Sequence, residues 1–427
     1  MSAPVQPTTK IRLKNRYLPA LVIFLIAQQF LIPYRGWVYL IVGLGGAWLM
    51  SYLWARSLQD GLRLTRETRM AWAQVGDEIQ EEFTLINQGW APGLWVTVLD
   101  KSNFPGYSVS TARYVEEKTV KRWLKGDVCR LRGMYTFGPT SLQTSDPFGL
   151  YEITIEYPAS TTMLVVPPIV PLPTIEVATG ERIVEGHTRS NSPGRTVSAA
   201  TVREYVPGDD IQSIHWRTSA KLDKLYVRVF DSTPSSEWWI FVDTEDVQQA
   251  GADENSTIEH SVILAASLAD RGLRLGRAVG LAANGNKDAI LTPRTGNLQQ
   301  WEMLRTLAML KETRTTLGEL LFRSQRMMNP RTSAVIITPA VGGEWLNALN
   351  GLLAKNIVIT VLLLDRSTYG GNGQIDETLG RLNDLGIRHH LINSQTVQHP
   401  RVQGNIVWRD ASSSRFPLHE LDWSRMK

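Results

Sequence analysis

The chain has 427 residues and is too long to fold around a single hydrophobic core, so two or three folded units are expected. Its net charge is +4, but nine basic and only two acidic residues lie in residues 1–70, so the remainder is slightly negative. A nucleic-acid-binding protein carries a basic surface on its folded part, so the charge distribution argues against that class. The single cysteine, Cys129, excludes an intramolecular disulfide and fits a reducing compartment.

Two apolar segments near the amino terminus predict a transmembrane hairpin over residues 17–55, with the lipid bilayer as a partner. Residues 17–33 are about long enough to cross a bilayer, and residues 37–55 contain no charge and carry Trp and Tyr near both ends. Basic residues in the amino-terminal segment 1–16 and after the second span place both flanks in the cytoplasm by the positive-inside rule. A signal peptide is the alternative, but no small-residue cleavage site follows the first segment.

Residues 56–170 show a β pattern. Short runs of alternating apolar and polar residues are broken by Gly, Asn and Pro, which predicts a small β-sandwich-like region. Cys129 belongs to one such run and is predicted to be a buried strand thiol. The segment SDPFGLY, residues 145–151, is predicted to be a loop, because Asp-Pro disfavours a helix and Gly149 permits a positive φ. Residues 171–200, rich in Pro, Thr, Gly and Ser, are predicted to be an irregular linker.

Residues 201–236 include the most charged stretch of the chain, REYVPGDDIQSIHWRTSAKLDKLYVRVF. A Pro-Gly turn precedes two acidic residues that can cap a short helix, and this helix is expected to turn its tryptophan inward. Two arginines can hold a carboxylate bidentately, which would lock a structural joint or shape a docking face. The residues assigned to this joint are Arg203, Glu204, Tyr205, Gly208, Asp209, Asp210, Trp216 and Arg217.

A catalytic interpretation of the same stretch remains as an alternative. Glu204 or Asp210 could act with His215 as acid and base in a hydrolase. No nucleophile stands in a recognisable setting, since Ser213 has no glycine-framed elbow around it. The structural or docking role is therefore the favoured interpretation.

Residues 237–395 alternate between strand-like and helix-like segments, and residues 396–427 follow as a tail. Such a series predicts a parallel-rich sheet with helices on both faces, whose ligands sit beyond the carboxyl ends of the strands. Asp243, Glu245 and Asp246 follow the first strand and could hold Mg²⁺ through their oxygen atoms. A solvated acidic loop is the alternative, because a metal site needs further oxygens from two other loops and no carboxylate stands near Pro339.

The segments DPFGLY, VVPP and the long charged stretch together resemble the bacterial domain of unknown function 58 family. This resemblance implies an N-terminal two-span membrane hairpin, a β-rich region and a C-terminal von Willebrand factor A-like domain, in the bacterial inner membrane. Many such domains bind Mg²⁺ through Asp-x-Ser-x-Ser, whereas this chain reads Asp-Thr-Glu-Asp-Val at residues 243–247. Both serines are missing, so a metal site at Asp243 and Glu245 would be degenerate.

The resemblance also implies a context, because members of this family are commonly encoded beside MoxR-type AAA+ ATPases. We therefore expect a membrane-anchored cytosolic scaffold or assembly factor that acts by protein–protein interaction and is not an enzyme. A MoxR-type ATPase is the expected partner, and no cofactor is expected. Two alternatives stay open: a metal-dependent adhesion module, and a hydrolase that uses Glu204, Asp210 and His215.

Overall fold

The computed structural model describes residues 7–68, 70–172, 175–178, 199–205, 216–222, 224–230, 237–284, 289–330 and 332–397. These residues fall into two compact units that adjoin in the sequence at Pro168 and Ile169. The first unit combines two N-terminal helices with three β-sheets, and the second contains a six-stranded sheet with helices. The predicted mixed α/β, multidomain class is therefore confirmed.

The chain forms two helices where the hairpin was predicted, α1 (Tyr17–Leu31) and α2 (Arg35–Gly61). They pack against each other, and Val22 of α1 faces Gly45 of α2. The apolar side chains directed away from this contact are largely exposed. Among the described residues, α2 is the one helix long and apolar enough to cross a membrane, while α1, with 15 residues, is shorter.

The second helix continues beyond residue 55, where the sequence pattern placed the end of the hairpin. Ala55 and Leu58 are fully buried in the core of the first unit, so packing extends the helix past its most apolar part. Gly61 ends the helix where the chain passes Gly89, and a Cβ atom at Gly61 would lie 2.4 Å from the Gly89 nitrogen. The last turns of α2 are thus part of the β-rich unit.

The basic segment before the helices forms a strand, β1 (Thr8–Leu13), which pairs antiparallel with β10 (Tyr151–Tyr157). Ile11 packs against the core while Lys10 and Arg12 are exposed, which is the period-two pattern of an edge strand. At the other end of the helical pair, α2 leads directly into β2 (Leu62–Thr68). The chain therefore enters and leaves the two helices from the same folded unit.

The described strands of the first unit form sheets with the orders β1-β10-β9-β5-β6, β3-β11-β8 and β2-β4-β7. The strands not yet given are β3 (Trp72–Gln74), β4 (Glu78–Asn87), β5 (Gly93–Asp100), β6 (Thr111–Val115), β7 (Thr119–Val128), β8 (Gly133–Phe137), β9 (Thr140–Ser145) and β11 (Thr161–Val166). Side chains of all three sheets, such as Phe83, Leu142 and Met163, meet in one core. Cys129 is buried there directly after β7, and burial raises the pKa of its thiol to about 12.

A buried arginine joins the sheets of this unit. Arg66 on β2 donates hydrogen bonds to both carboxylate oxygens of Glu81, at 2.9 and 2.6 Å, and to Asp100 at 2.8 Å. Both carboxylates are almost completely buried, and the guanidinium lies over the rings of Phe83 and Phe137. Removing one partner from such a network leaves a buried charge without compensation, so the network is a strong constraint on this fold.

We expect Arg66→Met to lower the free energy of unfolding by about 3–5 kcal/mol, because Glu81 and Asp100 would remain charged and buried. Lys10→Met is the control in the same unit, since its ion pair with Glu156 is exposed and contributes about 0–1 kcal/mol. Thermal unfolding of the full-length protein in detergent would measure both. Equal melting temperatures for the two variants would contradict this account of the network.

The second unit is built on a six-stranded sheet with the order β16-β15-β14-β17-β18-β19. Its strands are β14 (Trp238–Val242), β15 (Val279–Ala283), β16 (Ala289–Arg294), β17 (Ser333–Thr338), β18 (Val358–Leu364) and β19 (Arg388–Ile392). All neighbours pair in parallel except β15 and β16, which are antiparallel. The central strands are completely buried, as expected of a sheet covered on both faces.

Helices cover the two faces of this sheet. They are α4 (Thr257–Arg274), α5 (Asn297–Met309), α6 (Leu317–Ser324), α7 (Trp345–Ala354) and α8 (Asp376–Asp384). Trp238 meets Gly272 of α4 on one face, whereas Trp239 shares a core with α6, α7 and α8 on the other. Ser256 and Thr316 cap α4 and α6 by accepting the N–H groups of Glu259 and Glu319, so both helices begin with a capping box.

A smaller element precedes this sheet in the second unit. The strands β12 (Ala199–Glu204) and β13 (Tyr226–Phe230) pair antiparallel, and the short helix α3 (Trp216–Leu222) lies between them in the sequence. These elements contain the described part of the charged signature stretch.

Candidate functional site

The structure describes the signature stretch only in part. Glu204 forms an exposed ion pair with Lys224 at 2.9 Å, and the Tyr205 N–H donates to the Leu225 carbonyl at 2.8 Å. Gly208, Asp209, Asp210 and His215 lie outside the described residues, and for Arg203 and Arg217 only the backbone is described. The predicted joint and the proposed Glu204, Asp210 and His215 chemistry therefore remain predictions.

The expected inward orientation of Trp216 is wrong. Its side chain is 64% exposed, although it begins α3. The helix contacts β13 through Ser219, whose hydroxyl accepts the Tyr226 N–H at 2.9 Å. Trp216 is therefore not part of a buried joint among the described residues.

The carboxyl edge of the six-stranded sheet holds a buried acid. Asp243 follows β14 and is completely buried; its carboxylate accepts the Thr338 hydroxyl at 2.6 Å and the Glu245 N–H at 3.1 Å. Thr338, at the end of β17, accepts in turn the Ala340 N–H at 2.9 Å. Burial raises the pKa of Asp243 to about 6, because the charged form loses its hydration.

This arrangement does not fit a metal site. Both oxygens of Asp243 already accept hydrogen bonds from the protein, and Glu245 meets Asp243 through its backbone N–H. Across the described part of the chain, no group of three His, Cys, Asp or Glu side chains is placed to hold a metal ion. At the end of β17, Thr338 offers a hydroxyl that donates to Asp243, and it supplies no carboxylate oxygen for a metal ion.

The loop that follows α5 is hydrogen-bonded to the loop that follows β14. The Thr313 N–H donates to the Thr244 carbonyl at 2.7 Å, and the Asp246 N–H donates to the Thr313 carbonyl at 2.8 Å. The Thr244 hydroxyl donates to the Asn284 carbonyl at 2.8 Å, which adds the end of β15. Three chain segments therefore meet at this edge.

Next to this meeting point, an open depression is lined by Thr315, Glu319, Phe322 and Arg323. Arg323 donates to the side-chain oxygen of Asn284 at 3.2 Å, so the depression adjoins the end of β15. The phenyl ring of Phe322 is largely exposed beside it. Glu319 and Phe322 were not predicted as site residues from the sequence, because both occupy ordinary positions on an amphipathic helix.

Glu245, Asp246, Val247, Glu319 and Phe322 form a mixed acidic and apolar surface, here called the edge patch. The pKa of Glu245 is raised, first by partial burial and then by the negative charges of Asp246 and Glu319. Val247 and Phe322 expose large apolar side chains. The patch thus combines mutually repelling carboxylates with exposed apolar groups.

The family comparison agrees with the resemblance seen in the sequence. Residues 201–369 match the model of the family described as Protein of unknown function DUF58. The resemblance to this family is therefore confirmed over these residues. The match includes the signature stretch, Asp243 and the edge patch.

Relatives in two bacterial genera match a similar share of the chain. An uncharacterized protein of Mycobacterium bovis is 28% identical over 179 residues, which are 40% of this chain and 56% of that protein. The uncharacterized protein YeaD of Bacillus subtilis is 28% identical over 182 residues, which are 42% of each chain. The matched region thus spans about half the length of these relatives.

Solved structures give only distant likenesses. The CARDB domain of a Pyrococcus furiosus protein, crystallised with di-metal ions, is 15% identical and covers 25% of this chain and 96% of that domain, with a TM-score of 0.19. A β-glucosidase of Listeria innocua is 10% identical and covers 26% of this chain and 16% of that enzyme, with a TM-score of 0.19. Likenesses this weak carry no argument about fold or function.

The raised pKa of Asp243 predicts a pH dependence of stability. Because its pKa in the folded state, about 6, exceeds its ordinary value of 3.8, folding favours the protonated form. The stabilisation is complete below the ordinary pKa and is lost as the pH rises through 6. Asp243→Asn removes this titration. As the pH rises from 4 to 7, the free energy of unfolding of the variant should therefore increase by about 2–3 kcal/mol relative to that of wild type.

The measurement is the melting temperature of the full-length protein in detergent as a function of pH. Asp384→Asn is the control, because Asp384 is exposed at the end of α8 and its substitution should leave the profile parallel to wild type. A parallel profile for Asp243→Asn as well would contradict the assigned protonation.

Proposed function

We propose that the protein is a membrane-anchored scaffold whose first unit holds a two-span hairpin in the bacterial inner membrane. Its second unit is a von Willebrand factor A-like domain in the cytoplasm that binds a protein partner at the edge patch. The single observation that carries the proposal is the exposed apolar helical pair, because it needs a solvent other than water. The partner expected from the family resemblance is a MoxR-type AAA+ ATPase.

The exposed surface of the helical pair supports membrane anchoring. Phe24 and Phe30 of α1, and Tyr39 and Val42 of α2, are all more than half exposed, and they lie on the two helices that pack against each other. Soluble monomers rarely expose apolar patches of this extent to water. A bilayer removes the cost of that exposure, which favours an inserted hairpin over two helices in solution.

The connectivity supports two crossings and a cytoplasmic orientation. Because β1 precedes α1 and pairs with β10, a single crossing by α2 would separate strands that share a sheet. Lys14, Arg16 and Arg56 flank the helical pair, and basic flanks stay in the cytoplasm. The second unit follows on the same side, so the scaffold would present its edge patch to cytosolic proteins.

The chemistry of the edge patch supports a partner with basic and apolar side chains. A cation placed beside Glu245 would favour its ionised form, which Asp246 and Glu319 now oppose. Val247 and Phe322 would supply the apolar centre of the contact. Tethering to the membrane raises the effective concentration of partners that are tethered as well, so a modest affinity is sufficient.

The two other candidate functions have less support. A metal-dependent adhesion module needs free carboxylate oxygens, whereas those of Asp243 accept hydrogen bonds from Thr338 and Glu245. A hydrolase would use Glu204, which is exposed and paired with Lys224. Neither arrangement favours its function over binding.

Charge reversal at the edge patch tests the proposed function. Glu245→Lys and Glu319→Lys together should abolish capture of an AAA+ ATPase from native membranes, because like charges would face the basic partner. Asp384→Lys is the matched control, since Asp384 is exposed at the opposite edge of the sheet, and it should capture the ATPase as wild type does.

The measurement is affinity capture of the tagged full-length protein, with mass spectrometry of the proteins retained. Membrane localisation and melting temperature of each variant confirm that it is folded. Equal capture by the edge variant and by wild type would contradict docking at this patch, and the absence of an ATPase from both would contradict the partner.

A further inference from the structure

We propose that the first unit binds the surface of an anionic bilayer through a rim around the root of the hairpin, formed by Lys14, Arg16, Tyr17 and Phe148. The inference rests on the proposed membrane anchoring and adds a lipid-binding surface on the β-rich unit itself. Its ligand is the negatively charged phospholipid headgroup.

The contacts of α2 define the end of the unit from which the hairpin emerges. Gln59 donates to the Thr9 hydroxyl at 3.1 Å, and Trp48 donates to the Tyr151 hydroxyl at 2.8 Å. Since Tyr151 begins β10 and Thr9 pairs with Ile155 near its far end, α2 runs along β10 in the same direction. The hairpin therefore leaves the unit beside Tyr151.

The part of the hairpin beyond this point is short. Helix α1 has 15 residues, and residues 35–47 of α2 precede its contact with Tyr151, so each helix projects roughly 20 Å. The hydrocarbon core of a bilayer is about 30 Å thick. A hairpin of this length reaches across only if the bilayer thins and the root of the hairpin lies in the headgroup layer.

The exposed surface of α2 next to the β-rich unit agrees with a root that lies in the headgroup layer. Leu49, Met50, Tyr52 and Leu53 are exposed apolar residues in the part of the helix that already runs along the β-rich unit. The apolar belt of the hairpin thus continues without interruption onto the end of the unit. Lipid contact is therefore expected there as well.

The turn between β9 and β10 presents an aromatic side chain at the same end. The buried carboxylate of Asp146 accepts the N–H groups of Phe148 at 2.9 Å and Tyr151 at 2.6 Å. Gly149 adopts a φ of 66°, which completes the turn. Phe148 is consequently held with 61% of its surface exposed.

This turn is joined to the residues that precede α1. The Leu150 carbonyl accepts the N–H groups of Lys14 at 2.7 Å and Asn15 at 3.3 Å. Phe148 is therefore close to the exposed basic side chains of Lys14 and Arg16 and to Tyr17, which is also exposed. Aromatic and basic groups at one level are what the headgroup layer of a membrane attracts.

The charge of this region favours an anionic surface. Residues 13–18 and 146–151 contain two basic side chains and one carboxylate, Asp146, which is buried and used in the turn. The outward charge of these two segments is therefore positive. Because this positively charged region adjoins the apolar hairpin, a bilayer surface is favoured over a protein as its binding partner.

Fluorescence quenching in vesicles tests the rim. Burial and a raised thiol pKa protect Cys129, so a nitrobenzoxadiazole label will attach to an introduced cysteine. Phe148→Cys reports on the rim, Phe24→Cys on the hairpin, and Ala159→Cys on the far end of β10. The seven residues of β10 separate the two ends of the unit by roughly 20 Å.

The labelled full-length proteins are reconstituted into vesicles of phosphatidylcholine and phosphatidylglycerol that carry nitroxide labels at the headgroup or on the acyl chain. Headgroup nitroxides should quench the probe at residue 148 severalfold more than the probe at residue 159. Acyl-chain nitroxides should quench the probe at residue 24.

Equal, weak quenching at residues 148 and 159 with strong quenching at residue 24 would overturn the rim and leave the anchor intact. Weak quenching at all three positions would overturn the membrane anchoring itself. With the nitroxide carried by phosphatidylglycerol, Lys14→Gln and Arg16→Gln together should lower quenching at residue 148 by about twofold or more, since each basic residue near an anionic surface raises local lipid binding. Unchanged quenching would contradict the ligand assignment.

Discussion

The pairing of β1 with β10 is the constraint on which the rest of the first unit depends. It ties the residues before α1 to the same sheet that α2 adjoins, so both ends of the helical pair are fixed on one unit. A chain with one crossing could not satisfy this pairing, because the bilayer would lie between the two strands. The same pairing aligns α2 with β10 and thereby sets how far the apolar helices project.

In the second unit, the buried acid and the edge patch lie where parallel strands of the six-stranded sheet end. Parallel strands β14, β15 and β17 all finish at one edge, and this brings Asp243 and Thr338, 95 positions apart in sequence, into a 2.6 Å hydrogen bond. The Thr338 hydroxyl donates to the buried carboxylate of Asp243, whose oxygens a metal ion would need as ligands. Under the proposed function, the carboxylates that stay near the surface, Glu245 and Glu319, would offer their charge to a protein partner.

The sequence predicted the helical pair, the β-rich region and the parallel sheet because their apolar periods are long and clear. It did not predict β1, because Lys10 and Arg12, which alternate with Ile11 and Leu13, have the composition of a basic flank before a membrane helix. Trp216 was expected inside as part of a short helix after the Pro-Gly turn, but α3 begins at Trp216 and contacts its neighbour through Ser219. Glu319 and Phe322 were beyond reach because only tertiary packing brings α6 to the loop after β14.

The most direct test of the whole account is the side of the membrane on which residues before and after the hairpin lie. Thr8→Cys and Glu117→Cys are both exposed, whereas Cys129 is buried, so a membrane-impermeant maleimide would report on each introduced thiol. In sealed inside-out vesicles, the account predicts that both react before permeabilisation and that neither reacts in right-side-out vesicles. Reaction of the two thiols from opposite sides would contradict the hairpin.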